Sequence, residues 1–186
     1  MPALTAILSG TPWWVFVLFA VFVALGVQAL KPRSLPLARV FITPAVFIGW
    51  GLSSLVAAAK AAPLVLPGAI AAAAIGFALA ALTVRLDALR AEPGRVTLPG
   101  SALPLFRNLL IFAAKYVIAV ASAMRPDWHP TLLLADMAVS GLAIGYFLGW
   151  TLRLVGGYRR ALRLETMAAS RRLAPAFDEV MMRRAG

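Results

Sequence analysis

The sequence predicts an all-α integral membrane protein: a bundle of five transmembrane helices with a small β-hairpin and a basic amphipathic tail. Three observations predict it. Of 186 residues, 62% are hydrophobic and only 13% charged, and the mean hydropathy of +0.87 is too high for an ordinary soluble domain. The apolar residues fall into five nearly unbroken blocks, where a soluble core would show stripes or alternation. The 18 Lys and Arg residues, against 7 Asp and Glu, lie mainly in the gaps between those blocks. The formal net charge of +11 therefore reads as topology signals and lipid contacts before anything else.

A helix needs roughly 20 mostly apolar residues to cross a bilayer, and the blocks give spans over 12–30, 40–59, 68–84, 104–124 and 131–152. The gap after the first holds Lys31, Arg33 and Arg39, and the gap after the third holds Arg85, Arg90 and Arg95. Eight arginines follow the fifth, while the opposite side has only Lys60 and Arg125. This bias predicts an inner-membrane protein with a periplasmic N-terminus and a cytoplasmic C-terminus. The first ten residues lack Lys and Arg, so the first span is expected to stay in the mature chain. Trp13, Trp14, Trp128 and Trp150 stand near span ends, where indole rings suit headgroup depth.

The loops are short and proline-rich, as in Lys31 to Pro36 and Pro63 to Gly68, leaving no room for an extramembrane domain. The longest, Arg85 to Ser101, contains Pro93-Gly94, a pair suited to the centre of a type II turn. A cytoplasmic β-hairpin is expected around it, with Ser101 as a candidate N-cap for the fourth helix. In the second span Pro44 is expected to kink the helix or sit near its first turn. Small residues at i, i+4 spacing permit close helix approach in lipid. The third span offers Gly68, Ala72, Gly76 and Ala80, and the fifth Gly141, Gly145 and Gly149, so two packing stripes are expected.

Lys115 lies near the middle of the fourth span, where an ionised lysine costs at least ~3 kcal/mol unless it snorkels, pairs or loses its proton. Asn108, Lys115 and Ser122 recur at a spacing of seven and share one helical face, which should point into the bundle. Asp136 in the fifth span, with Ser140 one turn below, differs from Lys115 in depth by only about 6 Å when counted from the shared loop. A Lys115–Asp136 pair follows, either as a coupling site for protons or ions or as a structural pair fixing register. Arg107 is close enough to the span end to reach headgroups.

The chain has no cysteine, which excludes disulfides and thiol chemistry. One histidine, His129, gives too few ligands for a metal site. No Walker A loop, G-x-S-x-G elbow or H-E-x-x-H motif is present, so neither catalytic residues nor a cofactor are expected. The chain divides into a transmembrane domain over 1–157 and a tail over 158–186. The tail carries Arg159, Arg160, Arg163, Arg171, Arg172, Arg183 and Arg184 among apolar residues that include Phe177, Val180 and Met181 at i, i+3, i+4. It reads as two short amphipathic helices, broken near Pro175, resting on anionic inner-leaflet lipid. Without an aromatic stacking platform, nucleic acid is not an expected partner.

Arg39-Val40-Phe41-Ile42-Thr43-Pro44, Pro99-Gly100-Ser101 with Leu103-Pro104, and Ile111-Phe112-Ala113-Ala114-Lys115-Tyr116 together resemble an uncharacterised family of small bacterial inner-membrane proteins. The order of spans, with a basic hairpin before the fourth, is also similar to CcdC-type membrane proteins named for cytochrome c biogenesis. The resemblance covers Trp13 to Trp150 and implies the topology; it brings no activity, and a redox role would need cysteines that this chain lacks. The expected function is that of a non-catalytic accessory or assembly protein, with a homo-oligomer or another membrane protein as partner. The alternative is a small proton- or solute-coupled transporter using Lys115 and Asp136, with Asn108, Ser122 and Ser140 along its path.

Overall fold

A computed structural model describes residues 9–61, 63–84 and 89–185, with side chains as far as Met167 apart from those of 61 and 64. The fold is mostly helical. Helix α1 (Trp13–Gln28) leads through strand β1 (Arg33–Pro36) into α2 (Leu37–Ala61), and a 3-10 turn (Pro63–Val65) leads into α3 (Leu66–Thr83). Strands β2 (Arg90–Glu92) and β3 (Arg95–Leu98) precede α4 (Leu103–Met124), a second 3-10 turn (Pro126–Trp128) and α5 (His129–Ala185). Among the described residues, four helical segments are long and apolar enough to cross a membrane: Leu37–Lys60, Leu66–Thr83, Leu103–Met124 and Pro126–Met167. Helix α1 has 16 residues. By helical rise that is about 24 Å, short of the ~30 Å hydrocarbon thickness.

Helix α5 is the spine on which the others pack. Gly141, Gly145 and Gly149 face α3 so closely that a Cβ on Gly141 would meet the Ala69 carbonyl oxygen and one on Gly145 that of Ala73. Gly76 answers from α3, its missing Cβ pointing at the Leu142 carbonyl and at Tyr146 N, 2.9 Å away. Ala72 and Ala80 are buried in the same seam. Gly68 is not: it is exposed, with nothing within 4 Å of a Cβ added there. The helices cross so that Ala69 and Ala73, one residue further along, meet the glycines. On the other side Phe22, Phe47 and Phe147 form a stacked column with centroid separations of 4.9 and 4.8 Å. Ile111 and Ala143 complete that core cluster.

The expected hairpin has a third strand. β3 pairs antiparallel with β2, Glu92 opposite Arg95, so that Pro93-Gly94 makes the turn with Gly94 at φ 75°. Its other edge pairs with β1, Arg33 opposite Leu98 and Pro36 opposite Arg95. The segment read as a proline-rich loop is thus an edge strand, and two strands that would be marginal alone gain a neighbour. Val96 and Ala91 sit fully buried against Leu154 of α5 and Val40 of α2. Tyr158 fastens the turn: its hydroxyl donates to the Glu92 carbonyl at 3.0 Å and accepts the Gly94 N–H at 3.1 Å.

Pro44 lies in the interior of α2, past its first turn, and the helix continues through it. Two further expectations are corrected. Ser101 Oγ accepts the Leu103 N–H at 3.2 Å, while Ala102 holds the cap position itself. Helix α5 runs unbroken to Ala185, where two helices separated near Pro175 were expected; the strong helix formers on both sides of the proline favour one element. Arg85, the side chains of Arg171, Arg172, Arg183 and Arg184, and the Phe177, Val180 and Met181 face lie outside the described residues.

Candidate functional site

The intramembrane charges gather where α4 meets α5. Lys115 Nζ donates to Asp136 Oδ1 at 2.6 Å and to Ser140 Oγ at 2.7 Å. Ser140 Oγ in turn donates to the Asp136 main-chain carbonyl at 2.8 Å, one helical turn back. The hydroxyl therefore accepts from the ammonium with one lone pair and spends its proton on the backbone. The sequence puts Asp136 and Ser140 on one face of α5 by their i, i+4 spacing, and the lysine stem reaches both from α4. Ser140 is fully buried, while the Lys115 and Asp136 side chains are 14% and 25% exposed. The pairing makes the cluster electrically neutral, which removes most of the cost of holding a lone charge in hydrocarbon.

The space beside this cluster is small. Phe47, Trp50, Gly51, Ile111 and Phe112 close over Lys115 and Ser140 and leave a cavity of about 10 Å³. A single water needs ~10–15 Å³ by this measure. Gly51 takes part in the closure, since a Cβ there would lie 2.8 Å from Ile144 Cγ1. Ser122, two turns further along α4, is half-buried and is not one of the partners of Lys115 among the described residues.

Asn108 is buried at 3% exposure, two turns below Lys115, and it belongs to a different group. Its Oδ1 accepts the Nε–H of Arg107 at 3.2 Å. Arg107 does not run out to headgroups as expected. Its guanidinium carbon stands 4.4 Å from the Phe147 ring centroid, 5.3 Å from that of Tyr146 and 6.0 Å from that of Trp150. Three aromatic rings within little more than one turn of α5 thus receive the cation, an arrangement that stabilises a desolvated guanidinium through the ring quadrupoles. Trp150 is part of this cage, whereas Trp13, Trp14 and Trp128 are exposed. The aromatic spacing Tyr146, Phe147, Trp150 was the available sequence signal, and it reads as ordinary core until Arg107 is seen above it.

Among the described residues no group of three or more His, Cys, Asp or Glu is placed to hold a metal ion. His129 is exposed at the start of α5. Of the tail arginines, Arg159 and Arg160 are exposed and Arg163 is exposed on α5 just beyond the sheet.

A mostly helical bundle, with four segments apolar and long enough to span a bilayer and a Lys–Asp pair between two of them, is that of a membrane protein. The chain belongs to a family of unknown function, DUF6622, whose model matches residues 2–165. The match extends past Trp150 to include the start of the basic segment. No curated protein and no solved structure matches the chain.

Proposed function

We propose that this chain is a non-catalytic accessory or assembly protein of a bacterial inner membrane, its N-terminus periplasmic and its C-terminus cytoplasmic. It acts through its packed bundle and through the basic helix that leaves it. The observation that carries this reading is the continuity of α5, one 57-residue element from His129 to Ala185 that includes Asp136 of the Lys–Asp pair. By helical rise its last 33 residues, after Leu152, extend about 50 Å. The Tyr158 hydroxyl and the contacts of Leu154 with the sheet hold the base of that extension to the bundle. A rigid basic arm anchored at its root is suited to meeting anionic lipid or a partner at a fixed height.

The second reading, a proton- or solute-coupled transporter built on Lys115 and Asp136, is favoured by the partial exposure of Asp136. It is opposed by the small cavity against Lys115, which leaves little room for a water path. One experiment separates the two. The full chain and a chain ending at Glu165, which keeps Tyr158 and the sheet contacts, are extracted into native nanodiscs and their companions identified by mass spectrometry. A stoichiometric membrane-protein partner that is lost with the arm supports the accessory reading. A lone homo-oligomer whose proton or solute flux vanishes in Lys115→Met, with the fold kept, refutes it in favour of transport.

A further inference from the structure

A second polar site lies at the end of the bundle that carries the sheet. Arg33 of β1, Arg39 of α2, and Arg107 and Asn108 of α4 border a cavity of about 130 Å³, also lined by Gln28 and Thr43. This is an order of magnitude more than the ~10–15 Å³ that one water requires. The one ion pair among the described residues is Lys115–Asp136, so none of these three arginines has a carboxylate partner there. Arg33 is held below the ordinary arginine range by burial and by the neighbouring positive charge of Arg39. Gathering like charges around a shared hollow is unfavourable unless an anion joins them. Asn108 adds a second sign. Its Oδ1 is engaged by Arg107, and the amide nitrogen of this nearly buried side chain has no partner among the described residues. The side chain borders the cavity, so this nitrogen can add a donor to those of the arginines.

The cavity also adjoins an apolar groove. Leu98, Pro99, Ser101, Pro104, Arg107 and Trp150 line both spaces. The groove, about 540 Å³, continues between the end of α3 at Leu82 and Thr83 and the start of α4 at Leu103. Leu82 borders the groove and is 78% exposed.

We infer that this cavity binds the phosphate group of an anionic lipid, with Arg33, Arg39, Arg107 and the Asn108 amide as donors and one acyl chain in the adjoining groove. Three guanidiniums offer forked donors matched to phosphate oxygens, and the groove gives an apolar chain a path that free phosphate would not use. This inference is independent of the accessory or transport reading, since it uses neither Lys115 nor the arm.

The test uses the full chain in nonionic detergent, with affinities read by native mass spectrometry for dioleoyl phosphatidic acid, dioleoylglycerol and inorganic phosphate. Phosphatidic acid is expected to bind at least about tenfold more tightly than either, because only it presents both the charge and the chains. Arg107→Gln alone would be ambiguous, as it empties the aromatic cage and threatens the fold. The decisive variant is therefore Arg33→Gln with Arg39→Gln at the sheet end, expected to weaken phosphatidic acid by about tenfold or more. Its control, Lys31→Gln with Arg90→Gln, removes two exposed cations near the sheet that do not line the cavity. The control is expected to change affinity by less than about threefold, the scale of surface attraction alone. Equal losses in the two double variants overturn the site, and so does dioleoylglycerol binding as well as phosphatidic acid. Inorganic phosphate binding as tightly as the lipid overturns the acyl-chain half and identifies a free anion as the ligand.

Discussion

Gly145→Ala should be among the most damaging single-methyl changes in the α3–α5 seam. A Cβ on Gly145 would collide with the Ala73 carbonyl oxygen and stand 2.6 Å from its carbon and 2.8 Å from its Cα, all of them backbone atoms that cannot rotate away. Restoring the 2.6 Å approach to the carbon to an ordinary 3.4 Å already requires the two helices to part by about 0.8 Å, and the nearer oxygen requires more. A gap of 0.5–1 Å forfeits roughly a quarter to a half of each dispersion contact, and here the loss extends along the seam through Gly141, Gly76 and Ala80. Since lipid tails are as apolar as the seam, nothing but close packing holds it together. The expected cost is about 1–3 kcal/mol, the range of overpacking in well-filled interiors. Helix propensity acts in the opposite direction, because alanine is better than glycine in a helix by roughly 0.5–1 kcal/mol. That gain stands alone at Gly156 and Gly68, where nothing lies within 4 Å. Thermal unfolding in one detergent should therefore give opposite signs: Gly145→Ala lowers the midpoint, and Gly156→Ala leaves it unchanged or raises it. If Gly145→Ala is as stable as Gly156→Ala, the two helices do not meet in this register and the reasoning fails.

Three other outcomes follow from named contacts. Lys115→Met leaves a half-buried carboxylate unpaired and should cost about 3 kcal/mol, whereas Lys115→Met with Asp136→Leu removes both charges and should recover most of it; a double variant no more stable than the single would refute the pairing. Tyr158→Phe deletes the hydroxyl between Glu92 and Gly94 and should cost about 1 kcal/mol, with faster amide exchange at Gly94 and unchanged exchange in the α3–α5 seam. Gly94→Ala forces an L side chain to φ 75° and should destabilise the sheet by about 1–2 kcal/mol, read as earlier exchange of β2 and β3 amides before the bundle unfolds.

What can be read from the sequence is whatever a single physical effect controls. Apolar blocks announce helices because the bilayer admits little else, and the glycine stripes announce a seam because only small residues allow it. Lys115 and Asp136 can be matched by depth because a lysine stem is long and a lone charge in lipid is costly. Gly68 shows where this stops: i, i+4 spacing gives the face of a helix, but the crossing geometry decides which residues of that face touch, and it chose Ala69 and Ala73. The third strand is hidden for a similar reason. Arg33 to Pro36 has proline at both borders and reads as a loop, and only pairing with Arg95 to Leu98 sixty residues away makes it a strand. Arg107 is not legible because snorkelling and caging are both open to a long cation near a span end, and the choice depends on aromatic rings belonging to another helix.

The two intramembrane cations are handled differently, and the difference bears on where ligands can act. Lys115 is satisfied by a carboxylate and a hydroxyl from α5, so a ligand entering there would have to displace an existing ion pair from a space of about 10 Å³. Arg107 is received by ring faces, by the Tyr146 hydroxyl and by one amide oxygen, which lower the cost of its charge without cancelling it. Its positive charge stays available to an anion, and it borders both the larger cavity and the groove. A neutral pair that locks two helices and an uncancelled cation beside open space divide structure from recognition along the same helix. It follows that charge-neutral replacement of the Lys115 pair should preserve lipid binding at the sheet end, while changes at Arg33 and Arg39 should leave the α3–α5 seam intact.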